Sequence, residues 1–284
     1  MNATLPPPPY AVIGLGRLGT ALSRALSRTF PENPVLAVEP DPRLRAKALL
    51  DRLVSDAQEA PTPALGKCGL IFLCVPLGEL EATLQSLAPH LGEKVILTDT
   101  TTVKGAVREI VDRVLPNVTF VGGHPMVGAD GSDAGERADL FAGRRVILCP
   151  REGEEEAAAR VGAVWAAMGA RPVVLSDRDH DRLVAATTHA PYLAALALAR
   201  MAGSLEEAER VVGKAFVDAS RLATLAPEVA AASVAANPFA AAAARVLADE
   251  LRRLADLAES SPEELSAAAA EARAHRERLV PEGA

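Results

Sequence analysis

The stretch Tyr10-Ala-Val-Ile-Gly14-Leu-Gly16-Arg-Leu-Gly19 decides how this 284-residue chain folds. Four apolar residues, Tyr10 to Ile13, read as a buried strand, and the pattern after the glycines predicts a helix from about Arg17 to Thr29. A GxGxxG between a strand and a helix has a specific physical use. The first glycine makes the turn, the second admits a pyrophosphate, and the third lets helix and strand pack closely. The open helix N-terminus adds unpaired N–H groups and a positive dipole end. Gly14, Leu15, Gly16, Arg17, Leu18 and Gly19 are therefore candidate dinucleotide contacts.

The next strand, Val35 to Val38, ends in Glu39, twenty residues past Gly19. An acidic residue there accepts hydrogen bonds from the adenine-ribose hydroxyls and repels a 2′-phosphate, which favours NAD. An ordinary strand-end carboxylate is the alternative, and Arg43 and Arg45 keep NADP open. Asp41 to Leu53 reads as a helix. Gly69 to Val75 is a continuous apolar strand, as expected when both sheet faces are covered, and Pro76 ends it. A helix from about Glu79 to Leu87 leads to a strand over Val95 to Thr98, and Asp99 to Lys104 opens a helix to Leu115. Val75, Pro76 and Asp99, at strand ends, join the cofactor set. Thr102 reads first as that helix's N-cap, with its hydroxyl also placed to face the nicotinamide end.

The chemistry is expected in Val121-Gly-Gly-His124-Pro-Met-Val-Gly128. A buried strand over Val118 to Val121 precedes it. The two glycines are expected to let the backbone turn sharply and approach a ligand closely, and Pro125 biases His124 toward an extended conformation. An imidazole thus stands at the carboxyl end of a strand, where open α/β sheets keep ligands. A loop histidine that merely caps or packs is the plain alternative. After a Gly/Asp/Ala loop, Gly128 to Asp139, the chain predicts a strand (Arg145 to Cys149), a helix (Glu154 to Met168) and a short strand (Pro172 to Leu175).

Beyond Ser176 only helices are predicted: Asp181–Met201, Leu205–Asp218, around Pro227–Ala236, Pro238–Glu259 and Pro262–Leu279. The fold class is an α/β Rossmann-type domain over 1–176 followed by an all-α domain over 177–284. Thr188-His189-Ala-Pro191 breaks the first long helix, and such kinks point side chains into clefts. A partly buried histidine meeting a carbonyl is the competing account. Asp218 and Arg221 lie one turn apart on a helix face, which alone reads as a surface ion pair.

A net charge of −7 argues against non-specific nucleic-acid binding. No apolar run reaches membrane-spanning length and no signal peptide is visible, so a cytoplasmic protein with no nucleic-acid or membrane partner is expected. Cys68, Cys74 and Cys149 lack metal-ligand spacing, and no metal is expected. Cys74 and Cys149 sit in apolar runs and read as buried thiols.

The ordered set GLGRLG, DTTTVKGAV (Asp99 to Val107), GGHPMVG, DLFAGRRVILCP, HDRLVAATTHAP (His180 to Pro191) and DASRLA (Asp218 to Ala223) resembles the prephenate/arogenate dehydrogenases of tyrosine biosynthesis, from Gly14 to about Asn237. The resemblance implies an oxidative decarboxylation in which hydride passes to NAD and the ring carboxylate leaves as carbon dioxide. His124 looks like the family's general base, and Thr102 occupies the place of a serine that orients it. Arg221 looks like the arginine that holds a substrate carboxylate, and His189, beside Thr188, like a second substrate-binding histidine. A homodimer through the C-terminal helices is also implied. The chain departs from the family at Ala-Pro191-Tyr192 after His189 and at Ala230, where a tryptophan is common, which bears on substrate choice between prephenate and arogenate. Asp218 is a candidate sensor of the arogenate ammonium if Arg221 does not pair with it. No appended amino-acid-sensing module is expected. Competing readings are β-hydroxyacid dehydrogenases, whose helical-half lysine motif is missing around Lys214, pyrroline-carboxylate reductases, and a non-catalytic NAD-binding regulator.

Overall fold

The computed structural model describes residues 4–127 and 139–280. The loop expected over Gly128 to Asp139 lies, apart from Asp139, outside the described residues. The chain divides into two compact units, one of residues up to Ala185 with Ala223–Pro238, the other of Ala186–Leu222 with residues from Phe239 on.

The first unit is built on one eight-stranded sheet in the order β3-β2-β1-β4-β5-β6-β7-β8. Its strands are β1 (Tyr10–Ile13), β2 (Val35–Val38), β3 (Asp56–Gln58), β4 (Leu70–Leu73), β5 (Ile96–Asp99), β6 (Thr119–Pro125), β7 (Arg145–Cys149) and β8 (Arg171–Val174). All neighbours run parallel except β6 and β7. The period-2 alternation of a strand here feeds two cores. Tyr10, Val12, Leu70 and Phe72 face one cluster, and Ala11, Ile13, Ile71 and Leu73 the other. Helix α1 (Arg17–Thr29) covers the first cluster with Ala21, Leu22, Ala25 and Leu26, and α5 (Glu155–Ala167) adds Trp165. Trp165 meets Phe72 and Phe141 edge-to-face at 5.7 and 5.1 Å between centroids. The second cluster is closed by Leu80, Leu84 and Leu87 of α3 (Leu77–Leu87) and by Val107 and Val111 of α4 (Gly105–Val114).

Several expectations need correction. Helix α2 (Pro42–Leu50) stops short of Leu53, because Arg52 takes a left-handed φ of 55°. The edge strand β3 was not expected, being three residues long and polar at both ends. The glycines of GGHP do not turn. Strand β6 continues through them to Pro125, and they serve close approach instead. A Cβ on Gly123 would stand 2.4 Å from the Asp99 carbonyl oxygen and one on Gly122 3.1 Å from the Lys104 chain.

Helix α6 (Asp177–Val184) starts earlier than Asp181, because Ser176 caps it by accepting from the Asp179 N–H. A π turn, Ala185–His189, then leads to α7 (Ala190–Gly203); Pro191 has no N–H to continue a regular ladder. Residues 205–213 are not α-helical, and α8 spans only Lys214–Ser220 after Gly213. Helices α9 (Pro227–Ala236), α10 (Ala240–Ser260) and α11 (Pro262–Leu279) complete the chain, with α9 against α3 in the first unit and α7, α8, α10 and α11 in the second. Among the described residues, no single helix is long and apolar enough to cross a membrane.

Candidate active site

The glycine turn after β1 has the shape its sequence requires. Gly14 adopts φ +91° with a would-be Cβ 2.8 Å from the Cys74 carbonyl, and a Cβ on Gly19 would meet the Gly14 carbonyl at 1.9 Å. Gly16, by contrast, is exposed, and a Cβ there meets nothing within 4 Å. It is also the N-cap of α1, with no side-chain cap and no acidic residue in the first turn. An uncapped helix start behind an open glycine suits a phosphate group. Arg17 is exposed and Leu18 half-buried at this opening, whereas the Leu15 side chain points into the core. Val75 packs against Gly14, and exposed Pro76 starts α3 beside it.

Glu39 ends β2 as a buried carboxylate. Its two oxygens accept from the Leu15 N–H at 2.7 Å and the Asp41 N–H at 2.8 Å. Each oxygen keeps lone-pair capacity for a ribose hydroxyl, so the residue both braces the glycine turn and suits a nucleoside. The nearby arginines are engaged. Arg43 pairs with Asp41 at 2.9 Å, and its hydrogen bonds hold the Asp41 carboxyl down to about 2. Arg45 donates to the Glu39 and Pro40 carbonyls at 2.6 and 2.8 Å.

Strands β1, β4, β5 and β6 end along one edge, in register through Ile13–Leu73, Leu73–Asp99 and Thr98–Val121. His124 stands on this edge in β6, three strand spacings from the glycine turn, or about 14 Å at about 4.8 Å each. It is 8% exposed. Two sets of contacts hold it. The peptide before it is clamped: the Gly123 N–H donates to Asp99 at 2.8 Å, and Lys104 donates to the Gly123 carbonyl at 2.6 Å. Lys104 and Asp99 form a fully buried ion pair, which Thr101 joins through both its N–H and its hydroxyl. The ring is held separately. His124 Nδ1 lies 2.9 Å from His180 Nε2, and His180 Nδ1 lies 2.8 Å from Asp181 Oδ1.

Asp181 also accepts from the Lys104 and Gly105 N–H groups at 2.8 Å each and so caps α4 from across the fold. Burial pushes its carboxyl up, but the hydrogen bonds from His180, Lys104 and Gly105 outweigh that and hold it below the usual carboxylate range. The Asn237 amide donates to the Asp181 carbonyl at 2.8 Å.

Asp99 and Thr102 sit differently from the other residues singled out in the sequence. Asp99 has no exposed surface and its carboxylate is taken by Lys104, Thr101 and Gly123, so its side chain holds the backbone before His124. Thr102 does not cap α4, because Asp181 does, and among the described residues no hydrogen bond joins it to His124. Sequence reasoning missed Lys104, His180 and Asp181. The adjacent His180-Asp181 pair was their visible signal.

The remaining candidates lie on the second unit. Thr188 and His189 end the π turn, half-buried and buried respectively, and Arg221 follows α8 in an exposed position. Asp218 pairs with Lys214 at 2.7 Å on the exposed face of α8, a partner that the spacing of Asp218 and Arg221 does not suggest. Cys68 and Cys149 are buried and Cys74 half-buried; burial pushes their thiols up to about 11, 12 and 12, which leaves them inert. No cluster of three His, Cys, Asp or Glu side chains among the described residues could hold a metal ion.

Comparison with known proteins bears on this geometry. Residues 22–174 match a family model described as prephenate dehydrogenase, nucleotide-binding domain, and residues 176–267 one described as prephenate dehydrogenase, dimerization domain. The cyclohexadienyl dehydrogenase of Zymomonas mobilis is 32% identical over 231 residues, covering 77% of each chain. The prephenate dehydrogenase of Bacillus subtilis is 25% identical over 223 residues, which is 75% of this chain and 60% of that one. Among solved structures, Synechocystis arogenate dehydrogenase superposes with a TM-score of 0.81 at 26% identity, over 95% of this chain and 99% of the other. An Aquifex aeolicus prephenate dehydrogenase in complex with hydroxyphenyl propionate and NAD+ gives 0.87 at 22% identity, over 98% and 100%.

Proposed function

The chain belongs to the prephenate dehydrogenase family, and from that premise we propose that it oxidatively decarboxylates prephenate to 4-hydroxyphenylpyruvate with NAD, as a cytoplasmic homodimer. The chain is an oxidoreductase of the prephenate/arogenate class. The observation that carries the finer reading is His124, a buried imidazole on the sheet edge that also bears the glycine turn, backed by a histidine and a carboxylate.

In this reading, residues 1–176 hold the nucleotide and residues 177–284 the substrate and the partner subunit. The N–H groups behind Gly16 take the pyrophosphate, and Glu39 takes the adenine ribose. The buried Glu39 carboxylate at the end of β2 repels a 2′-phosphate, and Arg45 is spent on the Glu39 and Pro40 carbonyls, which supports NAD over NADP. When bound, NAD supplies the hydride acceptor for the ring carbon bearing the 4-hydroxyl. His124 accepts the hydroxyl proton as general base, a role worth about 10²–10⁴ in rate. It returns that proton to the phenolate oxygen once the ring carboxylate has left as carbon dioxide and its bonding pair has aromatised the ring. Arg221 holds a substrate carboxylate with its planar donor fork, and Thr188 and His189 complete the substrate set.

A second reading, in which arogenate is also accepted and gives tyrosine directly, is favoured by the similarity to a cyclohexadienyl dehydrogenase. NADH formation by the purified protein with each substrate separates the two. Prephenate turnover with NAD as the preferred nucleotide is the expected result. A lower KM for NADP with comparable kcat overturns the cofactor assignment, and a monomer by light scattering at micromolar concentration overturns the dimer.

A further inference from the structure

We propose that His180 and Asp181 are positioning residues that select the tautomer of His124 and so make its Nε2 the nitrogen that accepts the substrate proton. The proposal rests on the reading of His124 as general base and adds how that base is set. Donor and acceptor roles along the chain follow from its far end. Asp181 is held ionised, since three hydrogen-bond donors converge on its carboxylate, and an ionised carboxylate only accepts. His180 must therefore place its proton on Nδ1. While its ring is neutral, His180 Nε2 is an acceptor, and the group facing it at 2.9 Å is His124 Nδ1. His124 then carries its proton on Nδ1, and Nε2 is left as its basic nitrogen. The rings stand 74° apart with centroids 5.1 Å from each other, so this contact runs edge to edge and is not a stack.

The same arrangement stabilises the imidazolium once the proton has moved. A positive His124 donates from Nδ1 into a ring whose other nitrogen is tied to a carboxylate. Among the described residues, charged groups on and around β6 and β7 include Asp99 and Lys104, Asp177 and Arg108, and Glu154 with Arg151. Each of these is matched by an opposite charge. Asp181 is different: its carboxylate takes the His180 ring as side-chain partner, and its other donors are neutral backbone groups. Its charge thus reaches His124 through His180.

Two measurements test this. The first is 15N NMR of histidine-labelled wild-type protein at pH 8, with the His124 signals assigned by their loss in His124→Asn. A protonated Nδ1 and an unprotonated Nε2 on His124 are expected; the reverse tautomer overturns the proposal. The second compares His180→Gln, which keeps an acceptor of similar size, with His180→Leu, which does not. We expect kcat to fall about 10²-fold in His180→Leu but within about 10-fold of wild type in His180→Gln. The acid limb of kcat/KM should move to lower pH in His180→Leu, because the imidazolium loses its stabilising partner. Equal losses in both variants with an unmoved limb would mean that His180 only packs, and the proposal falls. A wild-type protein inactive on both substrates but with the expected NMR tautomer would overturn the assigned reaction and leave the positioning chain standing.

Discussion

Gly123→Ala tests how tightly the fold holds its proposed base. The added Cβ would stand 2.4 Å from the Asp99 carbonyl oxygen and 2.9 Å from Thr98 Oγ1. The first of these is backbone of the neighbouring strand and has no rotamer to escape into. Reaching even 3.0 Å requires β5 and β6 to part by about 0.6 Å, and ordinary contact at 3.4 Å requires about 1 Å. The parting happens at the peptide that Asp99 and Lys104 clamp, one residue before His124. Overpacking of this kind costs about 1–3 kcal/mol, and each kcal/mol lowers Tm by about 2–4 °C in a protein of this size. A misplacement near 1 Å of a reacting group costs about 10²-fold in rate. Thermal melts and steady-state NADH formation should therefore show a Tm several degrees lower and kcat down about 10²-fold, with KM for NAD within about 2-fold because the glycine turn is untouched. Wild-type kcat and Tm together would refute the claim that close strand approach positions His124.

Three further outcomes follow from other contacts. Gly16→Ala adds a methyl where nothing lies within 4 Å, at a φ of −60° that alanine accepts, so Tm should hold while KM for NAD rises at least about 10-fold; an unchanged KM would remove the phosphate from this opening. Asp181→Asn removes the charge that caps α4 and anchors His180, which should cost about 1–3 kcal/mol in denaturant unfolding. Because the folded carboxyl titrates below its unfolded value of about 3.9, that stability is present above about pH 4 and is lost as pH falls through the folded value, so the two proteins should converge in acid. Persistence of the difference at low pH would argue that the charge is not its source. With Asp218 exposed and paired to Lys214, Asp218→Asn should shift kcat/KM toward prephenate over arogenate by no more than about 5-fold; an unchanged ratio would turn attention to Tyr192 and Ala230.

The sequence made the sheet legible because its signals are local. A strand, a spaced glycine set and a helix are read within ten residues, and Tyr10–Ile13, Arg17–Thr29 and Val35–Val38 have the bounds the pattern predicts. What it hid depends on neighbours distant in the chain. The glycines of GGHP look like a turn until β7 is seen to pair beside them and β5 to press against Gly123. Thr102 looks like a cap because threonine commonly is one, yet α4 is capped by a carboxylate about 76 residues downstream. Asp99 looks available at a strand end, but the buried Lys104 ammonium claims it. In the helical half, the missing turns between Leu205 and Gly213 follow from a left-handed Glu207, φ 60°, which composition does not announce.

The central claim, that His124 is the base of an NAD-dependent oxidation of prephenate, is tested most directly by the pH dependence of NADH formation in the wild type and in His124→Asn. For the wild type, kcat/KM with prephenate should rise with pH as the His124 imidazole becomes neutral. His124→Asn should still bind NAD while kcat falls about 10²-fold or more, and the acid limb should vanish. A His124→Asn protein that keeps near-normal kcat and the same limb would contradict the account.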